Sequence, residues 1–171
     1  MYAPAAATLK LYLILRPAET HITETVMVTR EDLESFFIRM DLEYDEVDEG
    51  MFLVQGRNSG LPVVVHHSDA LLLIRMKVMD LPESMDDEVG FYRALLELNA
   101  TDVVHGAYGL EDGELILSDT LELETLDFHE LRASTESIEL AATSHMERIR
   151  ALAGVADDGD ADDTGTEEAE G

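Results

Sequence analysis

The chain has 171 residues, 38 Asp plus Glu against 11 Lys plus Arg, and no cysteine. The length suits one domain. A net charge of −27 repels phosphate and anionic lipid, which argues against direct binding of nucleic acid or a membrane surface. Without thiols there are no disulfides, thiolate metal sites or cysteine nucleophiles. At 46% apolar the chain can fill an ordinary soluble core, and no apolar run approaches the roughly 18 residues of a membrane helix. The expected location is the cytoplasm.

The two ends differ from the middle. Leu9 to Arg16 is a short apolar run broken by Lys10 and closed by Arg16-Pro17. Lacking a longer uncharged stretch, it does not read as an export signal. It reads either as an extra strand followed by a second at His21 to Val26, or as sequence ahead of a natural start at Met27, the second being slightly favoured. Residues 154–171 hold eight acids and no base. Like charges repel there and nothing can be buried, so this segment reads as a disordered acidic tail: solvating, or a bait for basic partners. The N-terminal piece carries two acids and two bases, so setting both ends aside leaves −19 on residues 27–153, the domain proper. With only two lysines, the acidity suits either high salt or a charge-selected partner.

In chain order, Thr29 caps a first helix whose Leu33, Phe36, Phe37 and Met40 form one stripe at spacings of three and four. The acidic run Asp41, Glu43, Asp45, Glu46, Asp48, Glu49 lacks the order of a calcium loop and reads as a solvated charged loop. Met51–Gln55, Leu61–His66 and Leu71–Val78 are three strands joined by short turns, which favours an antiparallel meander. Ser84 opens a second helix, Phe91, Tyr92, Leu95, Leu96 and Leu98 give it a wide apolar face, and Asn99 suits its left-handed end. Val103–Leu110 and Glu114–Leu123 form a hairpin about Asp112-Gly113. Asp127 and Glu130 make a capping box for a last helix with Leu126 and Leu131 as staple. Its seam runs Leu131, Thr135, Ile138, Ala142, His145, Ile149, Leu152.

Chemistry is sparse. His66 and His67 are neighbours on a strand, so they point to opposite faces and cannot share one metal. No His pair has zinc-helix spacing, no G-x-S-x-G elbow occurs, and Gly106-Ala107-Tyr108-Gly109 lacks the Lys of a phosphate loop. Those glycines read as places where a strand bends or something packs closely. No catalytic residue, metal or cofactor is expected. The methionines Met27, Met40, Met51, Met76, Met79, Met85 and Met146 read as core, or as adaptable contacts on a binding surface.

The order helix–three strands–helix–two strands–helix resembles the type III secretion chaperone-like fold, and in particular the bacterial YbjN family. The segment carrying it is Phe91-Tyr92-Arg93-Ala94-Leu95-Leu96-Glu97-Leu98-Asn99, then Gly106-Ala107-Tyr108-Gly109-Leu110, then Glu111-Asp112-Gly113-Glu114-Leu115 and the Leu126–Leu131 helix start. The resemblance covers about residues 27–152. It implies an α+β protein: a curved antiparallel five-stranded sheet with helices on one face, in the order αβββαββα. It also implies a non-enzymatic, usually homodimeric protein that binds other proteins, with partner segments held in extended form in the secretion chaperones. It carries over no catalytic residue. A sheet covered on one side leaves apolar area for another polypeptide. Phe91, Tyr92, Leu95 and Leu96 are the expected self-association residues. Phe36, Phe37, Met40 and Phe52 are the expected contacts to a partner, itself expected to be basic, a nucleic-acid-binding protein being one such partner. The rival readings are an acidic DNA mimic and a small-molecule sensor or minor enzyme.

Overall fold

The computed structural model describes residues 27–57 and 59–155. The expectations for the N-terminal piece and the acidic tail fall outside them, apart from Gly154 and Val155. The described elements are α1 (Arg30–Arg39), β1 (Tyr44–Asp48), β2 (Met51–Gln55), β3 (Pro62–Ser68), β4 (Leu71–Asp80), α2 (Glu88–Thr101), β5 (Ala107–Glu111), β6 (Glu114–Glu122) and α3 (Phe128–Ala153). All strand pairs are antiparallel, in the order β1-β2-β3-β4-β6-β5. The class is α+β, with the expected helix order and one more strand than expected.

That strand is β1, built from the acidic run read as a loop. Its one aromatic residue explains the difference. Tyr44 turns inward and its ring meets Phe37 at 5.2 Å and Phe52 at 6.1 Å. Asp45, Glu46, Val47 and Asp48 stay exposed. An edge strand tolerates this, because it pairs on one side only and its charges reach water. Gly50, at φ +71°, closes the two-residue turn to β2, where a Cβ would come 2.9 Å from the His67 carbonyl. Only glycine fits there.

Helix starts follow side-chain chemistry. At α1 the Thr29 hydroxyl accepts the Asp32 N–H while the Asp32 carboxylate accepts the Thr29 N–H, a complete capping box. Those bonds hold the Asp32 carboxyl below its ordinary value. At α3 the Asp127 carboxylate accepts the N–H groups of His129 and Glu130 at 2.7 and 2.8 Å. The return bond from Glu130 is not formed. α2 starts at Asp87 rather than Ser84, because the Asp87 carboxylate takes the Gly90 N–H at 2.9 Å. The helix then runs through Asn99 to Thr101.

The core lies between the helices and one face of the sheet. Alternate strand residues supply it: Phe52 and Val54, Val63 and Val65, then Leu72, Ile74, Met76 and Val78, with Leu115, Leu117, Leu121 and Leu123 from β6 and its end. Leu33 and Phe37 of α1, Phe91, Leu95 and Leu98 of α2, and Leu131, Ile138 and Ile149 of α3 meet them. Each such side chain contributes about 1.5–3 kcal/mol by leaving water. α3 buries a wider strip than the seam read from sequence, adding Ser134, Glu139, Ala141 and Ala153. The Ser134 hydroxyl donates to the Asp119 carboxylate of β6 at 2.6 Å, which satisfies both groups.

Candidate functional site

Strand alternation leaves a second sheet face that none of the three described helices covers. Cross-strand register places Leu53, Val64, Arg75, Ser118 and Ala107 in one row across it. Met51, His66, Leu73 and Thr120 form the next row, and Ser68, Leu71 and Glu122 the row at the rim. Leu71 and Leu73 are 41% and 39% exposed, and Met51, Leu53 and Val64 are half-buried. The apolar part therefore sits over β2, β3 and the start of β4. Towards β5 the face turns polar: Arg75 pairs with Glu111, and Lys77 with Asp80 at 2.8 Å and Glu114 at 2.7 Å.

The residues expected at interfaces divide by depth. On α2, Phe91 (1% exposed) and Leu95 (6%) are spent inside the protomer core. Tyr92 is half-buried, and its hydroxyl donates to the Glu88 carboxylate at 2.9 Å. Leu96 is 68% exposed and Val89 71%, so α2 keeps an outward apolar ridge beside its buried one. Of the expected partner contacts, Phe37 (1%) and Phe52 (0%) are core, with ring centroids 5.5 Å apart. Phe36 and Met40 are half-buried at the surface. The Phe36 ring packs edge-on against Phe128 at 5.8 Å, and the Arg39 guanidinium lies 3.7 Å from the Phe128 centroid. Met40 lines a cleft of about 340 Å³ with Leu42, Arg57, Thr135, Glu136, Glu139 and Leu140, between the end of α1 and the middle of α3.

The turn after β2 is tied down there. The Arg57 guanidinium donates to the carbonyls of Met40 and Asp41 and to the Asp41 carboxylate, while the Arg57 N–H donates to the Glu139 carboxylate at 3.3 Å. Glu139, only 3% exposed, thus anchors a turn 82 residues away in sequence.

The pairing least visible in sequence is that of Asn99 with Tyr108. The Asn99 side-chain oxygen accepts the Tyr108 N–H at 2.7 Å, and its amide donates to the Tyr108 carbonyl at 3.2 Å. Asn99 was expected to end its helix in a left-handed turn; its side chain instead occupies the backbone of the edge strand β5. The signal was present as Leu98-Asn99 followed by Gly106-Ala107-Tyr108-Gly109, but its meaning needs the third dimension. Gly106 sits at φ +80°, where a Cβ would meet the Ser118 carbonyl at 2.6 Å. Only glycine lets the chain enter β5 this closely.

The Tyr108 ring is buried, which pushes its phenol well above the ordinary value. Its oxygen lies 3.0 Å from His145 Nδ1 and 3.3 Å from the Ala141 carbonyl, joining β5 to α3. Burial lowers the His145 pKa, with Asp102 opposing and Arg148 adding to the shift. His67 Nε2 lies 3.0 Å from the Val28 carbonyl. Among the described residues no serine or threonine hydroxyl bonds a histidine ring, and no group of three His, Asp or Glu could hold a metal ion. No described helix is long and apolar enough to cross a membrane.

No curated protein matches the chain. Solved structures do. A chain of the heterodimeric ExoU–SpcU complex from the type III secretion system of Pseudomonas aeruginosa superposes with a TM-score of 0.54 at 14% identity, covering 70% of this chain and 96% of that one. YbjN from E. coli gives 0.54 at 13% identity, covering 72% and 96%. The Yersinia pestis type III secretion chaperone SycH, in complex with a fragment of YscM2, gives 0.47 at 19%, covering 72% and 99%. At these identities the first two show a shared fold. The family model CesT_Tir_1 matches residues 27–154, about three quarters of the chain, and the chain therefore belongs to the CesT_Tir_1 family of type III secretion chaperone-like proteins.

Proposed function

We propose that this protein is a non-enzymatic chaperone or adaptor that works as a homodimer and holds a basic partner protein. The observation that carries the reading is apolar surface left over by a well-filled core. The uncovered sheet face offers Leu71, Leu73, Met51, Leu53 and Val64, and α2 offers Leu96 and Val89. Contiguous apolar surface of this kind marks an interaction site. The family and fold point to a protein-binding, non-enzymatic role.

The roles divide by element. The outward ridge of α2, with Tyr92 and Leu96, serves self-association, with Phe91 and Leu95 supporting it from beneath. Phe36 and Met40 offer partner contact, with Phe37 packed on Phe52 to hold α1 in place.

 The domain carries −19 in all, so the expected partner is basic, with charge speeding encounter and apolar contact giving the hold.

Light scattering after size exclusion, followed by pull-down from native lysate at low and high salt, tests this. The expected result is a dimer that captures a basic protein more strongly at low salt. A monomer with no reproducible partner at either salt overturns it.

A further inference from the structure

Three segments distant in sequence meet at one end of the sheet: the start of α1, the turn from β1 to β2, and the end of β3. Arg30, Glu49, Gly50, His67, Ser68 and Asp69 line a surface cavity of about 390 Å³ there. Small-molecule sites span roughly 300–1,000 Å³, so the space suits a small solute. None of the six carries a large apolar side chain, so an apolar ligand finds nothing to bury against.

Hydrogen bonds fix the walls. The His67 N–H donates to the Gly50 carbonyl at 2.8 Å, and the Gly50 N–H donates to the Glu46 carboxylate at 2.9 Å. His67 Nε2 lies 3.0 Å from the Val28 carbonyl. A carbonyl only accepts, so Nε2 carries the proton, and the neutral ring keeps Nδ1 as an acceptor. The Arg30 stem passes over Gly50, its Cδ 3.6 Å from where a Cβ would stand.

The charged groups around this space have capacity to spare. Arg30 lies 3.5 Å from Glu49 and 3.8 Å from Glu46, both longer than the roughly 2.7–2.9 Å of a charge-assisted hydrogen bond. The Ser68 hydroxyl and the Asp69 carboxylate have no hydrogen-bond or ion-pair partner among the described residues. Charge then decides the class of ligand. A plain anion is repelled by Glu49 and Asp69, and a plain cation by Arg30. Among the described residues no group of three His, Asp or Glu could hold a metal ion. A molecule carrying both charges close together satisfies both sets.

We propose that this cavity binds a free α-amino acid with a polar side chain. Its carboxylate sits on the Arg30 guanidinium and the Ser68 hydroxyl. Its ammonium sits on the Asp69 carboxylate, with Glu49 and His67 Nδ1 as further acceptors. The site does not depend on the partner-holding role proposed above.

The test titrates the full chain with glutamine, following the backbone amide resonances of Gly50, Ser68 and Asp69 at pH 6.5 and constant ionic strength. Two analogues each lack one charge: N-acetylglutamine keeps the carboxylate, and glutaminamide keeps the ammonium. Glutamine to roughly 20 mM, enough to fill a site of millimolar Kd, is expected to give saturable shifts at these amides. Each analogue is expected to bind at least tenfold more weakly. Arg30→Gln and Asp69→Asn are each expected to weaken glutamine binding at least tenfold. Asparagine tolerates the φ of +50° at position 69, so that variant keeps the turn. No saturable shift with glutamine, binding of either analogue as tight as glutamine, or unchanged affinity in both variants overturns the site.

Discussion

Phe91 and Leu96 lie five residues apart on α2, and substituting each with alanine separates its two faces. Phe91 is 1% exposed, so Phe91→Ala removes a fully buried ring and leaves a cavity, costing about 3–5 kcal/mol of protomer stability. Leu96 is 68% exposed, so only about a third of its side chain is out of water in the protomer. A third of the ~1.5–3 kcal/mol for full leucine burial is about 0.5–1 kcal/mol, which bounds the cost of Leu96→Ala to the protomer. If α2 is the dimer face, the other two thirds are buried on association, about 1–2 kcal/mol from each copy. Two copies then weaken the dimer by about 2–4 kcal/mol, roughly 30- to 800-fold in Kd. Urea unfolding across a hundredfold range of protein concentration reads both quantities, with sedimentation equilibrium for the Kd. The reasoning is refuted if Leu96→Ala costs the protomer more than about 2 kcal/mol, or leaves Kd unchanged in a protein that does dimerise.

Three further outcomes are expected. His145 has its pKa lowered by burial below the ordinary 6.5, so the unfolded chain takes up its proton first as pH falls. Its contribution is therefore full above about pH 6.5 and lost as pH drops towards the folded value, and denaturation midpoints of His145→Gln should show a shallower fall between pH 7.5 and 5.5. Gly106→Ala forces a Cβ to within 2.6 Å of the Ser118 carbonyl at φ +80°, and should cost at least about 1–3 kcal/mol by thermal unfolding. Because the chain carries −27, raising KCl from 0.05 to 1 M should raise the melting temperature by screening self-repulsion; a fall would contradict that.

The elements legible in sequence are those whose signal is local. Thr29 and Asp127 announce their helices because the side chain that caps is adjacent to the N–H groups it caps. Asp112-Gly113 announces its hairpin because both residues take positive φ, +50° and +82°. β1 escaped because charge along the run outweighed one inward tyrosine, and Tyr44 becomes a strand residue only when Phe37 and Phe52 stand behind it. The candidate site was half legible. An apolar stripe on α2 says that some face is buried, but the stripe is wide, and sequence does not say that Phe91 and Leu95 are consumed by the protomer while Leu96 is left outside. The roles of Asn99 and Glu139 were illegible, since each acts on backbone that only folding brings to it.

The connectivity of the sheet carries a consequence for how the chain assembles. β1 to β4 are joined by successive short turns, and so are β5 and β6. The sole long-range pairing among the described strands is β4 with β6, which runs from Leu71 opposite Glu122 to Asp80 opposite Glu114. The described sheet is thus a four-stranded meander and a hairpin joined along one seam, with α2 in the connection between them. Closing that seam costs the most loop entropy of any strand pairing here and is expected to come last, so substitutions along it should slow folding more than equally buried substitutions within β2 and β3.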